Sequence, residues 1–167
     1  MQTIHVDLGE HAYDIEIAAG LLPQVGAKVA KLLPKARKAA IISDTNVAPL
    51  YADKLQKSLE DAGLVVCQII IEAGEQSKNM QVLSDVLEQL AASGMTRSDV
   101  VLTLGGGVVG DLGGFAAASF MRGVAFVQIP TSLLAQIDSS VGGKVAVDLK
   151  AGKNLAGAFY QPKAVFI

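Results

Sequence analysis

The sequence contains a single cysteine, only two histidines and no long run of apolar residues. Cys67 cannot form a disulfide within the chain, and it lies in an apolar segment where a buried structural thiol is expected. Glycine, proline or charged residues interrupt every apolar run before it reaches the length that spans a membrane. The first residues lack a basic stretch followed by an apolar one, so no secretory signal is expected. These absences predict a cytoplasmic protein without a membrane segment.

Neither sign of charge predominates in the sequence. Lysine and arginine number 14, and aspartate and glutamate number 16, for a net charge of −2. This balance argues against general binding to nucleic acid, which requires many basic residues to neutralise phosphates. With 167 residues, of which 51% are hydrophobic, the chain can bury a sizeable core as one domain over residues 1–167.

Glycine and charge are distributed unevenly along the chain. Eleven of the 17 glycines lie between Gly105 and Gly157, whereas 13 of the 16 acidic residues precede residue 101. From residue 101 onward there are five basic and three acidic residues, a local balance of +2. We therefore expect an anionic ligand to bind in this glycine-rich part of the chain.

Apolar residues repeat in patterns that predict alternating strands and helices. Alternation on both sides of Gly9 predicts an antiparallel hairpin with one solvated face. Repeated strand–helix units form parallel sheets, so the sequence predicts a doubly wound, Rossmann-like α/β sheet, mostly parallel, with this hairpin added at its N-terminal end. The last residues look like another strand just begun, and we expect a longer natural protein. The predicted buried strands cover residues 39–43, 65–71, 100–104 and 125–129. A helix is predicted over residues 108–121, between the last two of these strands.

The strand over residues 100–104 leads into a glycine-rich turn, Gly105-Gly-Gly-Val-Val-Gly-Asp111, which matches G-x-G-x-x-G and opens a helix. Glycines let a pyrophosphate approach the backbone, and the helix N-terminus offers unpaired N–H groups to its charge. The alternative is a tight turn that needs glycine only for helix–strand packing. The usual dinucleotide pattern is incomplete, because no acidic residue between Asp111 and Asp138 could hold a ribose.

Two further polar segments follow predicted strands and reach the same edge of the sheet. Asp44, Thr45 and Asn46 could hold a ribose or merely cap the next helix. Glu75 and Lys78 could contact a ligand, or they could form a solvated pair on the first turn of a helix.

The region after the strand at 125–129 combines serines, glycines and charged residues within an otherwise apolar segment. It includes Thr131, Ser132, the segment Asp138–Lys144, and the pair Lys153-Asn154. Buried polar groups require hydrogen-bond partners, so this region predicts either a ligand site or a salt-bridged loop.

In this order and at these gaps, the segments Gly105–Asp111, Pro130–Ser132, Asp138–Lys144 and Gly152–Asn154 resemble the N-terminal half of 3-dehydroquinate synthase. The Asp138–Lys144 segment is the most specific part, since polyol dehydrogenases of the glycerol dehydrogenase type share the glycine turn but are not expected to carry it. The resemblance implies an enzyme that converts 3-deoxy-D-arabino-heptulosonate 7-phosphate to 3-dehydroquinate and phosphate. The implied route is NAD-dependent oxidation, phosphate elimination, reduction and aldol closure.

The resemblance also implies roles for individual residues. Arg122 would reach the substrate phosphate from a partner subunit, or it would simply be a favourable cation at a helix C-terminus. The implied NAD contacts are Asp44, Asn46, Glu75, Lys78, Gly106, Gly107, Val108, Asp111, Thr131, Ser132, Lys144 and Lys153. The implied catalytic residues are Asp138, Lys144, Lys153, Asn154 and Arg122.

The intact enzyme of this family uses NAD and a divalent metal, zinc or cobalt, and the resemblance implies that the metal ligands lie in a helical domain beyond residue 167. His5 and His11 match none of those ligands, so we expect no metal site in this chain. The implied partners are a phosphorylated sugar acid and a second copy in a homodimer. The chain alone is expected to be inactive. The alternatives are the cofactor domain of a polyol oxidoreductase and a stand-alone nucleotide-binding module.

Overall fold

The computed structural model describes residues 1–167, which form nine strands and four α-helices. Short 3-10 turns connect several of these elements, and a π-helical turn covers Ala135–Ser139. The strands are β1 (Gln2–Val6), β2 (Tyr13–Ile17), β3 (Lys38–Asp44), β4 (Val65–Ile71), β5 (Val100–Gly105), β6 (Ala125–Pro130), β7 (Lys144–Leu149), β8 (Gly152–Phe159) and β9 (Ala164–Phe166). The helices are α1 (Val25–Leu32), α2 (Ala48–Asp61), α3 (Met80–Ala92) and α4 (Gly107–Ser119).

Seven strands form one sheet in the order β1-β2-β9-β6-β5-β3-β4. β1 and β2 pair antiparallel as a hairpin, and every other pair in this sheet is parallel. The sequence-based prediction of a mostly parallel sheet with an N-terminal hairpin is therefore confirmed. The last strand, β9, lies between β2 and β6 and joins the hairpin to the parallel part of the sheet.

Helices cover both faces of the sheet, because the central strands are apolar on both sides. β3 is buried along almost its whole length, and its consecutive residues Ile41 and Ile42 point to opposite faces of the sheet. α1 and α2 pack on the face of Ile41, where Leu55 and Leu59 enter the core. α3 and α4 pack on the face of Ile42. None of the helices has the length and apolar character that crossing a membrane requires.

The sequence analysis missed a second, two-stranded antiparallel sheet formed by β7 and β8. This hairpin packs on α4, and its Val145 and Val147 join the core on the α3–α4 face. The contact is close, since a Cβ placed on Gly114 of α4 would overlap the Val145 side chain. The hairpin is thereby held beside the beginning of α4. The expected burial of Cys67 is only partial, because β4 is the edge strand of the sheet.

Asp99 joins the segments that precede β3 and β5. Its side chain is buried and accepts hydrogen bonds from the backbone N–H groups of Arg37, Lys38 and Thr96 at 3.0, 2.8 and 2.7 Å. The Thr96 hydroxyl donates a further bond at 2.9 Å. Burial raises the pKa of Asp99, but the hydrogen bonds outweigh it and hold the pKa below the ordinary value of 3.8.

We predict that Asp99→Ala lowers the free energy of unfolding by about 3 kcal/mol, because each buried donor left without an acceptor costs about 1–3 kcal/mol. Asp99→Asn keeps one acceptor oxygen, so its free energy of unfolding should fall by less than that of Asp99→Ala. Near pH 3.8 the folded state binds fewer protons at Asp99 than the unfolded state. The stabilisation by the carboxylate is therefore complete above that pH and is lost as pH falls through the lowered folded pKa.

Denaturant unfolding at about pH 6 and about pH 3 measures this dependence. The difference in stability between the unchanged chain and Asp99→Asn should narrow at the lower pH. A difference that stays constant or widens would contradict the assignment of Asp99 as an ionised clamp.

Candidate functional site

The carboxyl ends of four parallel strands lie side by side at one edge of the sheet. Asp44 at the end of β3 pairs with Ile71 of β4, and Gly105 at the end of β5 pairs with Pro130 of β6. The Ser43 hydroxyl donates a hydrogen bond to the backbone carbonyl of Leu104 at 2.7 Å, which ties β3 to β5. The polar segments that follow these strands are therefore neighbours, as the sequence predicted.

The glycine turn begins α4 without a side-chain cap. Gly106 is the N-cap residue, and no side chain accepts a hydrogen bond from the first turn of this 13-residue helix. A Cβ on Gly106 would lie 3.5 Å from the Ser132 hydroxyl, and one on Gly107 would lie 3.2 Å from the Ser139 hydroxyl. The first-turn N–H groups are thus available to an anion, with two hydroxyls beside them.

The alternative interpretation of the turn, that glycine serves packing, holds for two of its glycines. A Cβ on Gly105 would lie 2.7 Å from the side chain of Val109, and one on Gly110 would lie 2.8 Å from Oε1 of Gln128. Gly106 and Gly107 are only half-buried and have more space. The first and third glycines of the motif therefore serve packing, and the middle of the turn faces the open edge.

Lys78 forms a buried ion pair that the sequence did not predict. Its side chain is only 6% exposed, and its Nζ lies 2.5 Å from Oδ2 of Asp111 on the first turns of α4. The same Nζ donates a hydrogen bond to Oδ1 of Asn154 on β8 at 2.6 Å. A buried charge requires such partners. The interpretation of Glu75 and Lys78 as a solvated pair is wrong, because Lys78 is buried and pairs with Asp111.

Burial raises the pKa of the Asp111 carboxyl above its ordinary value, even though Lys78 lies against it. The hydrogen bond and the charge of Lys78 lower the pKa, while the negative charges of Glu75 and Asp148 raise it further. The desolvation effect is the largest, so the net direction is upward.

Glu75 pairs instead with Lys153 on β8, at 3.1 Å between Oε1 and Nζ. Both side chains are well exposed, so solvent weakens this ion pair. Together with the Lys78–Asn154 contact, it connects the segment after β4 to the β7–β8 hairpin. Both residues remain accessible to a ligand at this edge.

A cleft of about 550 Å³ opens between the start of α4, the π-helical turn and the β7–β8 hairpin. Asp138 and Lys144 line it, as do Asp111, Ser139 and Asn154. The cleft thus brings together four residues to which the sequence analysis assigned individual roles, from elements that are distant in the chain: Asp111, Asp138, Lys144 and Asn154. Apolar side chains from β8, including Leu155 and Phe159, complete its wall.

Asp44 closes the turn that precedes α2. Its Oδ1 accepts hydrogen bonds from the backbone N–H groups of Asn46 and Val47, both at 2.9 Å. The N-cap residue of α2 is Val47, and no side chain caps this helix, so Asp44 stabilises the preceding turn and does not cap α2. The turn uses only one carboxylate oxygen, and no hydrogen bond to Oδ2 is present. Asn46 is exposed beside it. A ligand at this edge could still use Oδ2 of Asp44 and the Asn46 amide.

The end of β6 borders both the glycine turn and an apolar pocket. The Thr131 N–H donates a hydrogen bond to the carbonyl of Gly105 at 2.9 Å, and the Ser132 hydroxyl accepts one from the Ala135 N–H at 3.3 Å. Thr131 also lines a pocket of about 240 Å³, in which Tyr51 and Leu104 contribute apolar surface. A ligand that crosses the glycine turn therefore finds polar and apolar surfaces next to each other.

Arg122 does not join this cluster. It follows α4 at the amino ends of the parallel strands, opposite the cleft, where the β5–β6 pairing begins at Val100 and Ala125. The six residues of β6 separate the two edges by about 17 Å. The exposed Arg122 is held in a left-handed turn with φ 66° and cannot reach the cleft of its own chain.

The histidines lie on the N-terminal hairpin and away from the cleft. Nδ1 of His5 lies 2.7 Å from Oδ1 of Asp14, and both side chains are exposed. No group of three or more histidine, cysteine, aspartate or glutamate side chains comes together anywhere in the chain.

The β7–β8 hairpin is the functional element that sequence reasoning missed. It carries Lys144 and Asn154 to the cleft and Lys153 beside it, and it was interpreted only as polar loops. Val145 and Val147 alternate with more polar neighbours, and this alternation predicts a strand. The turn between Leu149 and Gly152 would then have identified a hairpin.

Comparison with known proteins supports the resemblance. A family model described as 3-dehydroquinate synthase N-terminal matches residues 68–167. A 3-dehydroquinate synthase of Clostridium acetobutylicum is 54% identical over 167 residues, which cover 100% of this chain and 47% of that protein. The chain thus spans about half the length of the curated relatives that it matches.

Solved structures with the same fold include two related synthases. A 2-deoxy-scyllo-inosose synthase, complexed with carbaglucose-6-phosphate, NAD+ and Co2+, has a TM-score of 0.91 and 27% identity over 99% of this chain and 45% of that one. ValA, a 2-epi-5-epi-valiolone synthase from Streptomyces hygroscopicus with NAD+ and Zn2+ bound, has a TM-score of 0.82 and 31% identity over 97% and 44%.

A glycerol dehydrogenase from Schizosaccharomyces pombe shares the fold alone, with a TM-score of 0.71 and 20% identity over 92% of this chain and 36% of that one. On the family model and on the identity to the curated synthases, this chain belongs to the 3-dehydroquinate synthase N-terminal domain family.

Proposed function

We propose that residues 1–167 are the NAD-binding part of a 3-dehydroquinate synthase. The uncapped first turn of α4 carries this proposal, because it presents backbone N–H groups at the sheet edge where parallel α/β folds bind nucleotides. The family membership and the NAD+ in two related synthase structures support it. The cleft next to this turn is the proposed substrate site.

The cofactor diphosphate would lie against the N–H groups of Gly106, Gly107 and Val108. These groups need no side-chain charge to hold an anion, because the helix N-terminus supplies a partial positive charge. The apolar pocket beside Thr131, of about 240 Å³, is the proposed site of the adenine ring. The proposed contacts at the remaining parts of the cofactor are Asp44, Asn46, Glu75, Lys78, Asp111, Ser132, Lys144 and Lys153.

The proposed substrate is a phosphorylated sugar acid, 3-deoxy-D-arabino-heptulosonate 7-phosphate. Lys144 and Asn154 line the cleft, and Lys153 lies beside it, so positive charge and amide groups would face the anionic substrate. When held at this turn, the cofactor would supply hydride transfer in both directions, so the overall conversion would involve no net redox change. Asp138 stands at the cleft wall, where it can hold or move a proton.

Arg122 acts in this proposal only from a second copy of the chain, because its own cleft lies at the opposite edge of the sheet. The metal of the intact enzyme would be held by residues outside this chain, since the residues present form no metal site. The homodimer and the cytoplasmic location stay predictions. The fold match to glycerol dehydrogenase, at 20% identity, does not favour a polyol oxidoreductase.

Gly106→Ala tests whether the turn holds the cofactor. The backbone of Gly106 has an ordinary φ of −79°, and the nearest atom to an added Cβ is 3.5 Å away, so alanine fits without strain. The added methyl group nevertheless occupies the surface that a diphosphate must approach. We expect NAD+ affinity, measured by calorimetric titration, to fall at least about tenfold, or about 1.4 kcal/mol.

Ser119→Ala at the other end of α4 is the matched control and should bind NAD+ like the unchanged chain. Thermal unfolding of both variants establishes that each is folded. Equal affinity of Gly106→Ala and the control would place the cofactor elsewhere.

A second prediction concerns activity. The chain supplied with substrate, NAD+ and zinc should show no turnover, because no group of possible metal ligands comes together in it and it spans about half the length of the curated synthases. Adding in trans the C-terminal half of the Clostridium acetobutylicum relative, of which this chain covers 47%, should give 3-dehydroquinate formation without net NADH accumulation. Turnover by the chain alone at the level of an intact synthase would overturn the claim of inactivity. NADH accumulation with a polyol would indicate a dehydrogenase, and NAD+ binding without any restored activity would indicate a stand-alone module.

A further inference from the structure

Asp148 stands at an irregularity in the β7–β8 hairpin. Val147 pairs with Ala156 and Leu149 pairs with Gly152, so the register shifts at Asp148. The Asp148 N–H is directed out of the hairpin and donates a hydrogen bond to the carbonyl of Lys78 at 2.8 Å. The register shift thereby attaches the hairpin to the segment that carries the buried lysine.

The Asp148 carboxylate stabilises an unusual backbone conformation at Asn154. Asn154 has a φ of 56°, one of only three non-glycine residues of the chain in the left-handed region. Its N–H donates a hydrogen bond to Oδ1 of Asp148 at 2.8 Å. This bond holds Asn154 so that its own Oδ1 accepts the hydrogen bond from Nζ of Lys78 at 2.6 Å.

These contacts form a closed ring. Lys78 holds Asp148 through its backbone carbonyl, Asp148 holds Asn154 through its carboxylate, and Asn154 holds Lys78 through its amide oxygen. Lys78 is in turn paired with Asp111 at the start of α4. The ring therefore fixes the hairpin relative to the uncapped helix N-terminus, and the cleft lies between these two elements.

We propose that Asp148 is a positioning residue, which holds Asn154 against Lys78 and so sets the shape of the cleft. Only the expected effect of Asp148 on NAD binding rests on the proposed function. Asp148 does not line the cleft and needs no contact with NAD or substrate. Loss of its carboxylate would release the Asn154 backbone from the left-handed region and leave buried Lys78 with one partner fewer.

The chemical reactivity of Lys78 measures this ring without reference to any ligand. Acetic anhydride acetylates exposed lysines quickly and buried ones slowly, and mass spectrometry reports each site separately. Lys54, which is exposed on α2, serves as the internal reference. Asp148→Ala should raise the acetylation rate of Lys78, relative to Lys54, at least about tenfold, because the buried ion pair becomes accessible.

Asp148→Asn is the conservative variant. It keeps Oδ1 as an acceptor for the Asn154 N–H, so the Lys78 rate should stay within about twofold of that of the unchanged chain. Asp85→Ala, at an exposed position of α3, is the matched surface control and should change nothing. If Asp148→Ala does not fold, Asp148→Val takes its place, because valine suits a strand and provides no acceptor.

The same variants titrated with NAD+ connect the ring to the proposed function. Asp148→Ala should weaken NAD+ binding at least about fivefold, and Asp148→Asn should restore it. An unchanged Lys78 rate in Asp148→Ala, or an equal increase in Asp148→Asn, would overturn the positioning role. Failure of the unchanged chain to bind NAD+ would contradict the proposed function alone, and Lys78 acetylation would still decide the role of Asp148.

Discussion

The architecture of the site depends on one buried ion pair, between Lys78 and Asp111. Removing an ammonium group from water is costly, and that cost is offset only if the charge has well-placed partners. Lys78 has two, Asp111 on α4 and Asn154 on β8. Because these partners belong to separate segments, satisfying one lysine brings the segment after β4, the first turns of α4 and the β7–β8 hairpin to fixed positions.

The parallel sheet determines where this arrangement stands. All strands from β3 to β6 end at one edge, so the segments that follow them are neighbours regardless of their distance in the chain. At the same edge α4 begins with glycines in place of a capping side chain, which leaves N–H groups for an anion. The ion pair and the uncapped helix are therefore parts of one surface, with the cleft between them.

The sequence predicted the sheet well because its signals are local. The apolar run at residues 39–43 predicts a strand that is covered by helices on both faces, and the structure buries it in that way. The polar residues that follow these strands could also be placed, because the carboxyl ends of parallel strands lie side by side. The β7–β8 hairpin was missed because its glycines and lysines suggested loops, although the alternation at Val145 and Val147 could have revealed it.

Partnerships between side chains were not predictable in the same way. Lys78 and Asp111 are 33 positions apart in the sequence, and only the packed structure shows that they meet. Sequence reasoning left open a solvated pair of Lys78 with its chain neighbour Glu75, whereas the structure pairs Glu75 with Lys153. The position of Arg122 follows from the topology, because α4 runs back from the carboxyl end of β5 and leaves Arg122 at the amino ends of the strands, away from the cleft.

The most direct measurement of the central claim is a crystal structure of the chain with NAD+ bound. The account predicts that the diphosphate oxygens accept hydrogen bonds from the N–H groups of Gly106, Gly107 and Val108, at about 2.7–3.2 Å, while the Lys78–Asp111 pair stays closed beside them. A diphosphate bound away from this edge, or Lys144 and Lys153 directed into bulk solvent with the cofactor in place, would contradict it.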